Sequence, residues 1–357
     1  MSNNLISVTQ NADTAFSHIP IIDLANISTD DPHVRRKLAE EVRNACINVG
    51  FLYVKNHGIP EETINDALDT MKEFFSLPTE DKAALDITKT PNFKDYSAVL
   101  SSNNDPNGGG DMHEGFEFGW EALSTISSGD YTPTPPRIPL SSLISRLPDD
   151  PIRQNDGVMA GKNVWPDQAK APGFREAVLK YYHAAVTLGK ALFPLFALAL
   201  DLPADFFDDK TRNSAAIMRV LHYPPQTGPA DDRVIGIGAH TDFECFTILW
   251  QEPDIQALQV LNTDNKWVDA PPLEGTLVVN LGDQFARWTN DVFKSTVHRA
   301  INRSGVRRYS IPLFFGTDYD VRLEPIASCV SADRPPHYEV VTAGEYVKQR
   351  LQATYGH

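Results

Sequence analysis

The chain has 357 residues, enough for one large domain or two modest ones at roughly 150 residues each. Hydrophobic residues make up 41% and charged residues 22%, a globular balance unlike that of a disordered, collagen-like or membrane chain. With 32 Lys plus Arg against 47 Asp plus Glu, the formal charge of −15 argues against a nucleic-acid partner, whose phosphates need clustered cations.

Residues 1–17 form a polar arm without the basic start and apolar run of a secretory signal. A β-branched run over 18–24 predicts a strand. Asp30-Asp31-Pro32 then offers an N-cap and a first-turn proline, and Val34, Leu38, Val42, Ala45 and Cys46 recur at helical spacing. Gly50 ends that helix, residues 51–54 read as a strand, and Ile64, Leu68, Met71 and Phe75 mark a second amphipathic helix over 61–75 closed by Pro78. The first quarter is therefore β-α-β-α. From 96 to 166 the chain turns to Ser, Asn, Asp, Gly and Pro, including Gly108-Gly109-Gly110 and a Pro-rich tract over 132–139, and a loop region this long is commonly functional. Within it, residues 112–120 alternate like a short strand.

Residues 174–200 carry apolar side chains around most of a helix, which predicts a buried one; their most apolar part, 191–200, is too short to span a bilayer. Seven short strands follow, over 215–223, 234–237, 246–250, 258–261, 277–281, 295–301 and 309–315, punctuated by Gly, Pro, Asn and Asp as in a sandwich or jelly roll. The resulting expectation is an α+β protein acting as one functional unit. Its parts are an arm (1–17), an N-terminal segment (18–130), loop and helical support (131–205), a β-rich core (206–330) and a C-terminal segment (331–357). Cys46, Cys245 and Cys329 are far apart and lack C-x-x-C pairing, so a reducing, cytoplasmic setting is expected, with no membrane partner.

The sharpest chemical feature is His240-Thr241-Asp242 at the end of a strand-like run. Residues i and i+2 of an extended chain share a face, so an imidazole and a carboxylate stand side by side. A core histidine bonded to an aspartate satisfies the same spacing. His298, on a later strand, would complete two imidazoles and one carboxylate, a facial donor set that leaves three positions open on non-haem Fe(II). Further on, Arg308, Ser310, Pro312 and Phe314 share one strand face, opposite to that of Tyr309, Ile311, Leu313 and Phe315. A guanidinium beside a hydroxyl on a buried face calls for an anion, and the planar fork of Arg suits a carboxylate. His57 is expected to bond local backbone, His113 and Glu114 point to opposite faces and make poor co-ligands, and Asp283 reads as a turn residue.

These motifs, with Gly50-Phe51-Leu52-Tyr53-Val54-Lys55-Asn56-His57-Gly58 in the N-terminal half, resemble those of the Fe(II)- and 2-oxoglutarate-dependent dioxygenases of the isopenicillin N synthase-like group over nearly the whole chain. The resemblance implies a double-stranded β-helix (jelly-roll) core with packed helices. It implies His240, Asp242 and His298 as iron ligands, and Arg308 and Ser310 as the clamp for the distal carboxylate of 2-oxoglutarate. The family's N-x-Y element corresponds to Leu221-His222-Tyr223, which keeps the tyrosine and lacks the asparagine. Arg219 matches a basic position that reaches the pocket, with a structural salt bridge as the competing reading. Phe314, Phe116 and Phe118 are expected around a small apolar or planar substrate, the alternative being that the phenylalanines stitch the core.

The activity implied is oxidation of a small organic metabolite by O2, whether hydroxylation, desaturation or rearrangement, with 2-oxoglutarate converted to succinate and CO2 and ascorbate as a candidate stimulant. Competing readings are a same-fold Fe(II) oxidase that does not use 2-oxoglutarate, a zinc hydrolase, and a non-enzymatic β-sandwich ligand-binding protein.

Overall fold

Strand β2 (Phe51–Lys55) pairs with β10 (Thr276–Leu281), so residues more than two hundred positions apart lie in one sheet. The computed structural model describes residues 15–89, 94–104, 110–123, 161–226 and 235–355. The Pro-rich tract, Gly108, Gly109, Val234 and most of the N-terminal arm lie outside the described residues.

Six further strands join those two: β1 (Ile21–Asp23), β3 (Asp95–Ser97), β4 (Glu114–Phe118), β5 (Ala216–Tyr223), β7 (Phe246–Gln251) and β12 (Arg308–Phe315). Together they make an eight-stranded sheet in the order β1-β2-β10-β7-β12-β5-β4-β3. Strands β6 (Ile237–His240), β8 (Leu258–Leu261), β9 (Trp267–Asp269) and β11 (His298–Ala300) make a four-stranded sheet in the order β6-β11-β8-β9. All pairings except β1 with β2 are antiparallel, the jelly-roll pattern expected.

Three helices cover the outer face of the large sheet. In α1 (Pro32–Asn48) the Asp31 carboxylate accepts from the His33 and Val34 N–H groups, supplying partners to donors the first turn leaves over. Gly50 adopts φ +71°, and a side chain there would collide with the Lys294 carbonyl, so glycine is required twice over. Helix α2 (Glu61–Phe75) buries Ile64, Leu68, Met71 and Phe75 on one stripe. Helix α4 (Phe174–Ala199) is 26 residues long and apolar enough to cross a membrane by length and composition. Here it packs against α1, α2 and β12, which explains apolar side chains on most of its circumference.

Several elements differ from expectation. The strand expected over 234–237 is found at Ile237–His240, and that over 295–301 is only His298–Ala300, whose pairing with β6 shifts register between His298 and Ala300. Asp283 begins α5 (Asp283–Trp288) instead of sitting in a turn. The short α3 (Thr79–Ala83), β9 and the C-terminal α6 (Ala343–Tyr355) had no sequence expectation. At the edge of β4, buried Glu114 accepts from Lys82 (2.7 Å), His222 (2.8 Å) and Tyr96 (2.6 Å), a network that ties α3 to the sheet. Burial works against its charge, yet those three donors outweigh it and keep the Glu114 pKa below the usual value.

Candidate active site

The register of the small sheet sets His240 directly opposite His298, which puts both imidazoles on one face. Their ring centroids are 4.3 Å apart. Beyond the end of β6, Asp242 turns Oδ1 to within 3.6 Å of His240 Nε2 and 3.7 Å of His298 Nε2. Among the described residues this is the group of three His, Cys, Asp or Glu side chains whose ligand atoms all lie within 4.8 Å of one another.

Each outer atom is tied down. His240 Nδ1 donates to the Gly238 carbonyl (2.7 Å) and His298 Nδ1 to the Thr296 carbonyl (3.1 Å), which leaves both Nε2 lone pairs facing Asp242. The second Asp242 oxygen accepts from the Thr247 hydroxyl and from Asn280 Nδ2 (2.6 Å). Burial opposes ionisation of Asp242, but His298, His240 and Thr247 outweigh it and hold the carboxyl well below the usual range. Burial and the neighbouring His240 push His298 down to about 4. For His240 burial also acts downward, and Asp242 overcomes it to raise the pKa. Two imidazole lone pairs and one ionised oxygen converging on a point suit a divalent metal with open positions, and the donor set fits Fe(II).

A cavity between the sheets runs from this cluster along β12. Arg308, only 1% exposed, lies opposite Tyr223, with its guanidinium carbon 4.8 Å from the Tyr223 ring centre. Its Nη2 reaches Gln251 Oε1 at 3.3 Å, while Nε and Nη1 are buried with no hydrogen-bond partner. Such atoms are costly unless a ligand supplies acceptors. Ser310 Oγ donates to the Tyr223 hydroxyl at 3.4 Å beside them. Arg308, Ser310 and Tyr223 thus form a pocket end shaped and charged for a carboxylate.

Phe314 lines the same cavity, as its strand face requires. Phe116 and Phe118 do not. Both are fully buried on the core side of β4, among Phe74, Trp165, Phe174 and Tyr182, so the expectation that they border the substrate is corrected. Alternation did operate, with the opposite sense: Glu117, between them, faces the cavity. Its carboxylate pairs with Arg219 Nε at 2.7 Å, so Arg219 both lines the pocket and makes a salt bridge. Phe116→Leu is accordingly expected to lower stability by about 1–2 kcal/mol while leaving the KM for 2-oxoglutarate unchanged, which paired melting and steady-state assays would check.

The sequence reading missed Glu117, Asn104 and Glu244 in the cavity wall, together with Tyr319 and with Val347 and Leu351 of α6. The i, i+4 apolar pair of Val347 and Leu351 was a usable signal for an amphipathic C-terminal helix. Glu244 is buried, which pushes its pKa up to about 8 against the opposing Gln284 amide, 2.8 Å away. His57 Nδ1 accepts from the Ile59 N–H (3.2 Å), the local role expected of it.

Comparison with known proteins gives the same assignment. Residues 214–317 match the 2OG-Fe(II) oxygenase superfamily, and residues 19–168 match the N-terminal region described as that of the non-haem dioxygenase in morphine synthesis. The chain is 35% identical to the 2-oxoglutarate-Fe(II) type oxidoreductase hxnY of Emericella nidulans, over 94% of this chain and 90% of the relative. It is 31% identical to the homoarginine-6-hydroxylase 2-ODD-C23 of Glycine max, over 88% and 89%. Among solved structures, a full-length Neurospora crassa protein in complex with alpha-KG and thymine superposes with a TM-score of 0.77 at 27% identity, covering 94% of this chain and 96% of that one. With these relatives and a His, Asp and His cluster able to hold a metal, the chain belongs to the Fe(II)- and 2-oxoglutarate-dependent oxygenases, and it is an enzyme that uses iron and 2-oxoglutarate.

Proposed function

We propose that His240, Asp242 and His298 hold the iron, that Arg308, Ser310 and Tyr223 hold the distal carboxylate of 2-oxoglutarate, and that the substrate is a small, flat, nitrogen-bearing ring compound. Iron with 2-oxoglutarate and O2 supplies the oxidising power for a C–H bond, with succinate and CO2 as by-products. The chain's own work is placement. Arg308 presents a carboxylate with a guanidinium whose Nε and Nη1 have no protein partner, and Tyr223 and Ser310 add hydroxyl groups at that end. Gln251 holds the third guanidinium nitrogen, so the fork is set before the co-substrate enters.

The observation that carries the substrate reading is the Glu117 and Arg219 pair in the wall that also holds Phe314. In the sheet register Pro312 lies between the levels of Ser310 and Phe314 and across from Arg219, which puts the pair between the carboxylate end and the aromatic ring. An ion pair offers a ligand adjacent donors and an acceptor, the complement of a ring –NH–C(=O)– edge, and Phe314 offers a face for the ring to stack on. The thymine bound to the similar Neurospora crassa protein has this chemistry. Val347, Leu351 and Tyr319 add buried, largely apolar side chains to the cavity wall, which favours exclusion of water. The acidic net charge supports a small-molecule partner over nucleic acid, and three buried cysteines outside any disulfide support a reducing, cytoplasmic setting. Pairing of β2 with β10 supports treating the N-terminal segment and the β-rich core as parts of one functional unit.

The test is succinate release from 2-oxoglutarate in the presence of thymine, of related cyclic amides and of L-homoarginine. Cyclic amides should stimulate turnover, and Phe314→Ala should raise their KM or increase succinate formed per product, with little change in melting temperature. Stimulation by the flexible amino acid alone would overturn the ring reading.

A further inference from the structure

The segment just before β4 lies along the segment that carries His240. Met112 N–H donates to the Ile235 carbonyl (2.9 Å), His113 Nδ1 to the Gly236 carbonyl (2.8 Å), and Gly238 N–H to Asp111 Oδ1 (2.8 Å). Gly238 in turn uses its carbonyl to accept from His240 Nδ1. Gly238 is thus held on one side by Asp111 and on the other holds His240.

Asp111 is 2% exposed, and its other oxygen accepts from the Ser102 hydroxyl (3.1 Å), the Asn104 N–H (3.0 Å) and Asn104 Nδ2 (2.7 Å). Four donors converge on one carboxylate, so an amide in its place must turn its NH2 group toward one set of donors or the other. Asn104 itself lines the cavity.

We propose that Asp111 is a positioning residue for the metal site: through Gly238 it fixes the ring plane and tautomer of His240, and through Asn104 it ties that geometry to the cavity wall. The proposal rests on the assignment of His240 as a ligand. A histidine ligand whose Nδ1 partner is itself immobilised presents Nε2 in one direction, and such outer partners typically account for about 10–100-fold in metal affinity.

The experiment is titration of the metal-free full chain with Co(II), following its visible absorption and measuring affinity by chelator competition, for wild type and Asp111→Asn. The variant should remain folded by circular dichroism, bind Co(II) about 10–100-fold more weakly and show an altered Co(II) spectrum, which reports ligand geometry and would not change if Asp111 only stiffened the loop. An unchanged affinity and spectrum in a folded variant, with wild type binding normally, would overturn the proposal alone. A wild type without a Co(II) site would overturn the ligand assignment and the proposal with it. If Asp111→Asn fails to fold, Asn104→Ala, which removes one of the four donors, takes its place: a smaller loss of affinity with a spectral shift supports the proposal, and no change in either overturns it.

Discussion

Asp242→Asn is expected to reduce Fe(II)- and 2-oxoglutarate-dependent turnover by at least about 100-fold, beyond the roughly 10–100-fold that loss of a mere outer partner costs. The substitution keeps the side chain's volume but puts an amide where two histidine Nε2 atoms converge at 3.6 and 3.7 Å. A neutral amide oxygen is a weaker donor to a divalent cation than a carboxylate, and only three protein ligands are present to share the loss. The fold should tolerate the change. Asp242 contributes no side chain to the apolar clusters, and its contacts with Thr247 and Asn280 can be kept in part by the amide. Iron content, succinate release and melting of the metal-free protein would check this, and normal turnover by the purified variant would refute the ligand assignment.

Arg308→Met should separate the two halves of the site. Hydrogen bonds to a charged group are worth about 1.5–3 kcal/mol, so removal of the guanidinium should raise the KM for 2-oxoglutarate by at least about tenfold while metal affinity is kept. The effect on stability runs the other way from most core substitutions. In the absence of ligand, Nε and Nη1 are buried without partners, offset in part by the Tyr223 ring. A flexible apolar side chain of similar reach leaves no such atoms, so the ligand-free variant should melt no lower than wild type. A protein that melts much lower, with the KM for 2-oxoglutarate unchanged, would mean that Arg308 holds the sandwich together and that the carboxylate binds elsewhere.

Local signals in the chain determined much of this protein: the amphipathic helices α1 and α2, the buried helix α4, most strands of the large sheet, and the ordered set His240, Asp242, His298, Arg308 and Ser310. These are legible because helical and strand periodicity fix which side chains share a face, and because a buried Arg or a paired His and Asp is chemically conspicuous. Which face of β4 lines the cavity could not be read in this way. Alternation groups Phe116 with Phe118 and sets Glu117 apart, but only the pairing of β4 with β5 and the helices behind it decides that the aromatic face packs inward and the acid meets Arg219. The same holds for the short β11, whose register shift depends on β6, and for Glu244, Tyr319, Val347 and Leu351, which reach one cavity from separate elements. Sequence periodicity orders side chains about their own axis, whereas long-range pairing and helix packing choose what each face meets.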